Sequence, residues 1–256
     1  LIIKFAYWFE KFIYHKAKLI IVLTPAFRDK LISSKNVVKE KLILIPNAAD
    51  FSLAEKIQNN PSFDALEFKK ELGLENKFVI TYVGAHGLAN HLIQLIDAAE
   101  KLTDTNIVFQ LIGAGMQKEA LMLEVKKRNL SNIIFRNPVS KQEVFKYILA
   151  SDVGASVLKK VDTFKTIYSN KTFDYMSCKR PVLLAIDGVS RDLIEIAKCG
   201  IYVEPENSDF IAEKARKFSN MDKNELKKMG INGYNYAIKN FDRINLSNKY
   251  INIINL

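Results

Sequence analysis

The chain has 256 residues, of which 48% are hydrophobic and 26% charged, enough for one large α/β domain or for one domain with a piece of another. No apolar run approaches the roughly 18 to 20 residues of a membrane-spanning helix, and Lys4, Glu10 and Lys11 interrupt any signal peptide that Leu1-Ile2-Ile3 could begin. The formal net charge of +10 admits polyanionic partners, but lysines spread along the chain among Asp and Glu describe a solvated surface and select no partner.

In chain order, residues 1–18 come first, with Phe5, Trp8, Phe9, Phe12 and Ile13 able to share one helix face and Lys4, Lys11, Lys16 and Lys18 outside it. Such a helix packs into its own domain or lies on an anionic membrane. Strands are expected at 19–23 and 42–45, with a helix between them. These elements are too few for a sheet domain. Because the chain also lacks an initiator Met, residues 1–45 read as the last elements of an upstream domain in a longer protein. Residues 46–61, from Pro46-Asn47-Ala48-Ala49-Asp50 to Gln58-Asn59-Asn60-Pro61, read as an irregular interdomain linker.

Beyond it, β-branched runs at 78–83, 107–112, 133–135, 153–157, 182–185 and 201–203 alternate with amphipathic stretches at 92–102, 117–129, 141–150, 171–178 and 191–198. This is the pattern of βαβ units, and it predicts an α/β fold with a doubly wound parallel sheet over residues 62–240. Helical patterns at 210–218, 223–239 and 243–254 close the chain in a helical tail, with residues 241–256 as a C-terminal helix. Cys178 and Cys199 lack CxxC spacing and fit free thiols in a reducing, cytosolic compartment. His15, His86 and His91 lack paired zinc spacing, so no metal site is expected. No basic helix-turn-helix or RNP-like motif marks a nucleic-acid partner.

Ligands of open parallel sheets sit beyond the carboxyl ends of strands, where helix N-termini offer amides and a positive dipole end. Three junctions qualify. At Gly84-Ala85-His86-Gly87, glycines allow close approach and His86 can bond a phosphate or a sugar hydroxyl, or the segment is a tight turn with a surface histidine. At Gly113-Ala114-Gly115 the third glycine and the downstream acid of a dinucleotide site are missing, so helix packing competes with ligand contact. The third junction begins at Ser169-Asn170-Lys171-Thr172-Phe173-Asp174-Tyr175. Ser169 or Asn170 can cap a helix there. Lys171 in its first turn opposes the dipole, which points to an anion it helps hold, and Asp174 on the same side can accept both hydroxyls of a ribose. A surface i,i+3 ion pair accounts for the same two residues.

With Ile45-Pro46-Asn47-Ala48-Ala49-Asp50, Gly84-Ala85-His86-Gly87, the Gly113-Ala114-Gly115 turn, Ser169 to Val182 and Phe241-Asp242-Arg243 in this order, the chain resembles the C-terminal half of family 4 glycosyltransferases. These are retaining enzymes of the GT-B fold, and the likeness is to the bacterial capsule and O-antigen branch with N-acetylfucosaminyl transferases. The resemblance implies a nucleotide-diphosphate sugar donor, a UDP-sugar foremost, and a lipid-linked or glycan acceptor at the inner face of the cell membrane. It implies no metal or other cofactor, in keeping with the absence of a DxD dyad. It makes Lys171 and His86 the catalytic pair, with Ser169, Asn170 and Lys171 on the diphosphate and Asp174 on the ribose. Gly84, Ala85, Gly87, Gly113 and Gly115 would border the donor, and Arg136-Asn137-Pro138-Val139 would lie near the base through Asn137 and Val139. Departures are Thr166 for the first acid of the family's Glu-x7-Glu, Ala85 and Asn90 for an Arg and a Lys, and Lys179 for a Gly. Two other readings stay open: a GT-B epimerase, whose catalytic acids and His are not identifiable, and a binding-only pseudoenzyme, which Thr166 keeps alive.

Overall fold

Seven caps set much of the helix phasing. Thr24, Asp50, Asp64, Ser140, Asn207, Asp222 and Asp242 each accept a hydrogen bond from a first-turn amide of the helix that follows. A computed structural model describes residues 2–255; Leu1 and Leu256, the outermost residues of the expected first and last segments, lie outside it. The elements are α1 (Ile2–Lys16), β1 (Ile20–Val22), α2 (Pro25–Lys35), β2 (Leu42–Leu44), α3 (Phe51–Gln58), α4 (Ala65–Glu71), β3 (Phe78–Val83), α5 (Ile93–Glu100), β4 (Ile107–Ile112) and α6 (Lys118–Lys127). They continue with β5 (Ile133–Arg136), α7 (Lys141–Leu149), β6 (Val153–Val157), α8 (Asn170–Ser177), β7 (Val182–Ala185), α9 (Val189–Ala197), β8 (Gly200–Tyr202), α10 (Ser208–Ser219), α11 (Lys223–Phe241) and α12 (Arg243–Ile254).

Strands β3 to β8 form one sheet in the order β5-β4-β3-β6-β7-β8, every pair parallel. Alternate residues of each strand feed two cores. Ile80, Tyr82, Phe109, Leu111, Leu183 and Ala185 pack with α5, α6 and α10 on one face. Val83, Ile112, Val182 and Leu184 pack with α3, α7, α8, α9 and α11 on the other. Burial on both faces requires strands that are apolar throughout, and β3, β4 and β7 are nearly so. The expected doubly wound sheet and helical tail are therefore present.

Two expectations need correction. Residues 46–61 are not irregular, since α3 occupies half of them. Asp50 caps it, and Phe51, Ala54 and Ile57, at helical spacing, enter the second core. The prolines and asparagines flanking this short amphipathic run masked it. Helix α4 was also not anticipated. Lys69 ties it to the sheet by donating to Asp152 Oδ2 at 2.7 Å, and the Val79 amide donates to the same oxygen.

Residues before Pro46 make a separate parallel pair, β1 with β2, and a small core of Val22, Leu31, Val37 and Leu42. Helix α1 buries none of its residues. Its aromatics do share a face, with Phe5, Trp8 and Phe12 ring to ring. No helix among the described residues is long and apolar enough to cross a membrane.

Candidate active site at the switch point of the sheet

The strand order reverses between β3 and β6, which leads the chain away in opposite directions and leaves a crevice at their carboxyl ends. A cavity of about 470 Å³ opens there, bounded by Val83 and Gly84 after β3, Leu158 after β6, Ile167 to Lys171 and Asp174 at α8, and Lys141 and Val144 of α7. Its volume is in the usual range for small-molecule sites.

Tyr175 fixes α8 over the crevice. Its hydroxyl donates to the Ala155 carbonyl on β6 at 2.9 Å and accepts from the Val83 amide on β3 at 3.2 Å, joining the two strands that part there. The ring lies on Gly154, where any Cβ would overlap it, so the glycine sets how closely α8 approaches the sheet. Ser169 holds the N-cap position but caps nothing. Its hydroxyl pairs with Ser156 Oγ at 2.8 Å and accepts from Lys171 Nζ at 3.4 Å. The first-turn amides of α8 thus have no side-chain partner at a dipole end that faces the cavity.

Lys171 folds back over the first strand of the crevice. Its Nζ lies 5.1 Å from the Tyr82 ring centroid, and its Cε lies close to Gly84, where a Cβ would stand 3.4 Å away. No carboxylate among the described residues pairs with it directly. Burial lowers its pKa to about 8, and the Asp174 charge acts weakly in the other direction. The i,i+3 ion pair that could have explained Lys171 and Asp174 does not form. Asp174 instead accepts from Lys141 Nζ at 2.5 Å. Burial raises the pKa of its carboxyl, opposed by Lys141 and then by Arg243. Asn170 turns outward and accepts from Asn47 Nδ2 at 2.7 Å, which links the 46–50 segment to the first residue of α8. Arg243 pairs with Asp50 at 2.9 Å and Ala49 donates to the Phe241 carbonyl, so the same segment is also tied to the start of α12.

His86 is corrected from ligand contact to buried filler. It has no exposed surface, lies between the rings of Tyr82 and Phe135, and finds no partner for either ring nitrogen. Burial first, and the charge of Lys118 second, lower its pKa to about 4, so it is neutral at pH 7. The turn glycines serve close packing: a Cβ on Gly113 would meet the Gly84 carbonyl and one on Gly115 the His86 backbone. Both lie at positive φ. Ala85 accepts from the Tyr82 hydroxyl at 2.8 Å and Gly87 precedes a 3-10 turn; neither borders the cavity. Asn137 accepts from Lys118 and Val139 packs into the second core, also outside the lining. Of the expected site, Gly84, Ser169, Asn170, Lys171 and Asp174 meet at one cavity. Lys141 was missed, although a lysine just after the Ser140 cap opposes the dipole of its helix as Lys171 does.

The doubly wound sheet thus carries its cavity at the switch point, beside a helix N-terminus without a side-chain cap and a lysine without a carboxylate partner among the described residues. The chain belongs to the glycosyl transferases group 1 family, whose model matches residues 64–236. It is 23% identical over 252 residues to WcaI of Escherichia coli K12, whose name places it among colanic acid biosynthesis glycosyl transferases; the match takes in 96% of this chain and 59% of WcaI. Among solved structures, Anabaena HepE in complex with UDP and glucose superposes with a TM-score of 0.81 at 19% identity, over 95% of this chain and 64% of HepE. WaaG, a glycosyltransferase involved in lipopolysaccharide biosynthesis, gives 0.74 at 18% identity, over 91% and 62%. The chain thus spans less than two thirds of the length of each.

Proposed function

We propose that the chain forms the donor-binding half of a retaining GT-B glycosyltransferase that takes its sugar from a nucleoside diphosphate. The observation that carries this reading is Lys171, a half-buried ammonium with no carboxylate partner among the described residues, set at the uncapped N-terminus of α8 on the switch-point cavity. As a glycosidic bond to a diphosphate breaks, negative charge builds on the leaving oxygens. Lys171, the α8 amides and the helix dipole are placed to stabilise it without reorganising. Asp174 then accepts from the ribose hydroxyls, and the segment 136–139, leading into Lys141 at the cavity, borders the base. HepE binds UDP, so a UDP-sugar is the donor to try first.

Within this reading residues 1–45 close an acceptor domain, 46–61 join it to the donor domain of 62–240, and 241–256 return as the last helix. The acceptor is a lipid-linked glycan of a surface polysaccharide, in line with what WcaI and WaaG are named for. The protein works in the cytoplasm against the inner membrane face, with the exposed Phe5, Trp8 and Phe12 of α1 as its contact. One observation favours binding without turnover: Thr166, in the place of the family's first acid, turns its hydroxyl to the Thr163 carbonyl while its own carbonyl accepts from Thr24.

Calorimetric titration of the chain with UDP, GDP, ADP and TDP tests the core of the proposal, with at least one expected to bind. Absence of binding by all four, in a folded sample, removes the donor-site assignment. A panel of sugar nucleotides offered to the intact enzyme with lipid-linked acceptors separates transfer from binding alone.

A further inference from the structure

Lys141 carries information that the donor-site reading does not use. It stands at the first position of α7, where a cation opposes the helix dipole, and it is not neutralised by a neighbour on its own helix. Its Nζ donates to Oδ2 of Asp174 on α8, and both residues line the same cavity. The ends of the pair differ: the Asp174 side chain is 13% exposed and that of Lys141 49%. A nearly enclosed anion is therefore held by a cation that water still reaches. The Lys141 ammonium also lies 5.1 Å from the Phe145 ring centroid, which limits where it can swing.

The charged and titratable groups around Asp174 come from four elements. Lys141 faces it from α7, Arg243 from the start of α12 and Asp50 from the residue before α3, while Lys171, Tyr175 and Cys178 share its own helix. Burial and Asp50 favour the protonated acid. Lys141 supplies the largest opposing charge and the hydrogen bond, with Arg243 behind it. Ionisation matters chemically, because a carboxylate accepts two hydroxyl protons whereas a carboxylic acid brings a proton of its own into that space.

We propose that Lys141 is a positioning residue for ribose recognition: by binding Oδ2 it keeps Asp174 an aimed carboxylate whose other oxygen receives the hydroxyls of a ribonucleoside diphosphate. The proposal rests on the donor-site reading above. It also assigns a function to a lysine that would otherwise be a surface residue at an unfavourable helix position.

The test is calorimetry of the full chain with UDP and 2′-deoxy-UDP between pH 5 and 7.5, comparing the unaltered protein with Lys141→Met and Lys141→Arg. Lys171, with a pKa of about 8, begins to lose its proton only at the upper end of that window, and this and the titration of the nucleotide itself are common to every sample. The unaltered chain should prefer UDP by about tenfold, the worth of one charge-assisted hydrogen bond. In Lys141→Met the preference should fall to about twofold at the acid end and recover as pH rises, with its midpoint moved up by about one pH unit or more. Lys141→Arg should return the midpoint toward that of the unaltered chain. Equal weakening of both nucleotides at every pH would overturn the proposal, since a residue acting on phosphates or on the packing of α7 behaves that way. Binding by Lys141→Met that matches the unaltered chain would overturn it as well. Equal affinity of the unaltered chain for the two nucleotides is a separate failure: it removes the ribose role of Asp174, and the role of Lys141 falls with it.

Discussion

Replacing Lys171 with Met should move stability and binding in opposite directions. Burial holds the Lys171 ammonium at a pKa of about 8 against the usual 10.5 of a lysine, so below pH 8 the folded chain carries a cation it solvates poorly. The sign follows from linkage. The unfolded chain binds this proton more tightly than the folded one, so the group costs stability below pH 8, and the cost disappears as pH rises past 10.5. At pH 7 the cost is about 3 kcal/mol, and Met would also give up the contact with Tyr82, worth roughly 1 kcal/mol. A net gain of about 1 to 2 kcal/mol should raise the melting temperature of the free chain by about 2 to 8 °C. Binding should suffer. An ammonium about 4 Å from a phosphate oxygen is worth about 4 kcal/mol near a protein surface, less what hydration returns, so UDP should bind about 30- to 150-fold more weakly. Differential scanning fluorimetry and calorimetry read the two effects on one sample. A variant that melts lower and binds UDP as before would refute both the unpaired-cation description and the diphosphate assignment.

Three further outcomes follow from the same structure. UDP affinity should fall by about tenfold per pH unit above pH 8 as Lys171 loses its proton, and calorimetry should show this slope flattened in Lys171→Met. His86, neutral in the fold with a pKa of about 4 against 6.5 when unfolded, should cost roughly 3 kcal/mol as pH falls from 6.5 to 4; in urea melts, His86→Leu should flatten that acid limb. Gly154→Ala drives a methyl into the Tyr175 ring and should cost about 1 to 3 kcal/mol, with loss of UDP affinity as α8 is displaced from β3; unchanged melting and affinity would show that the ring has room to move.

The fold was legible where burial is two-sided. Strands such as 107–112 are buried on both faces, and that leaves a run in the sequence that is apolar apart from Gln110. Helix α3 was not legible because only Phe51, Ala54 and Ile57 mark its face, and the flanking Pro and Asn residues signal a loop more strongly than three apolar positions signal a helix. Lys179 shows a subtler case. It stands where the family has a glycine and adopts φ of 54° at the C-terminal turn of α8, so the backbone keeps the left-handed conformation although the residue type does not announce it. The Lys179 ammonium lies 4.7 Å from the Tyr234 ring centroid, one compensation that a linear sequence cannot display.

At the site, a cation at a helix start is a weak mark, since Lys118, Lys141, Lys223 and Arg243 open helices as well. A lysine in the first turn of a helix opposes the dipole, and that oddity led to Lys171, which does lie unpaired on the cavity. Lys141 opposes the dipole in the same way 30 residues earlier in the sequence, with no glycine turn beside it to mark the place. His86 shows the converse error. Its glycine neighbours advertised a ligand, but those glycines let β3 and β4 turns interlock, and the histidine fills the space beneath them. Glycine in a strand-to-helix turn reports that something approaches the backbone closely, without saying whether it is ligand or protein. A cation placed against a helix dipole costs about 0.3 to 1 kcal/mol and does not by itself mark a ligand, since Lys118 and Lys223 also open helices with no carboxylate paired to them among the described residues. For Lys141 the compensating charge is Asp174; Lys171 has no carboxylate in direct contact among the described residues, Asp174 acts on it only weakly, and the diphosphate proposed for it would supply the rest.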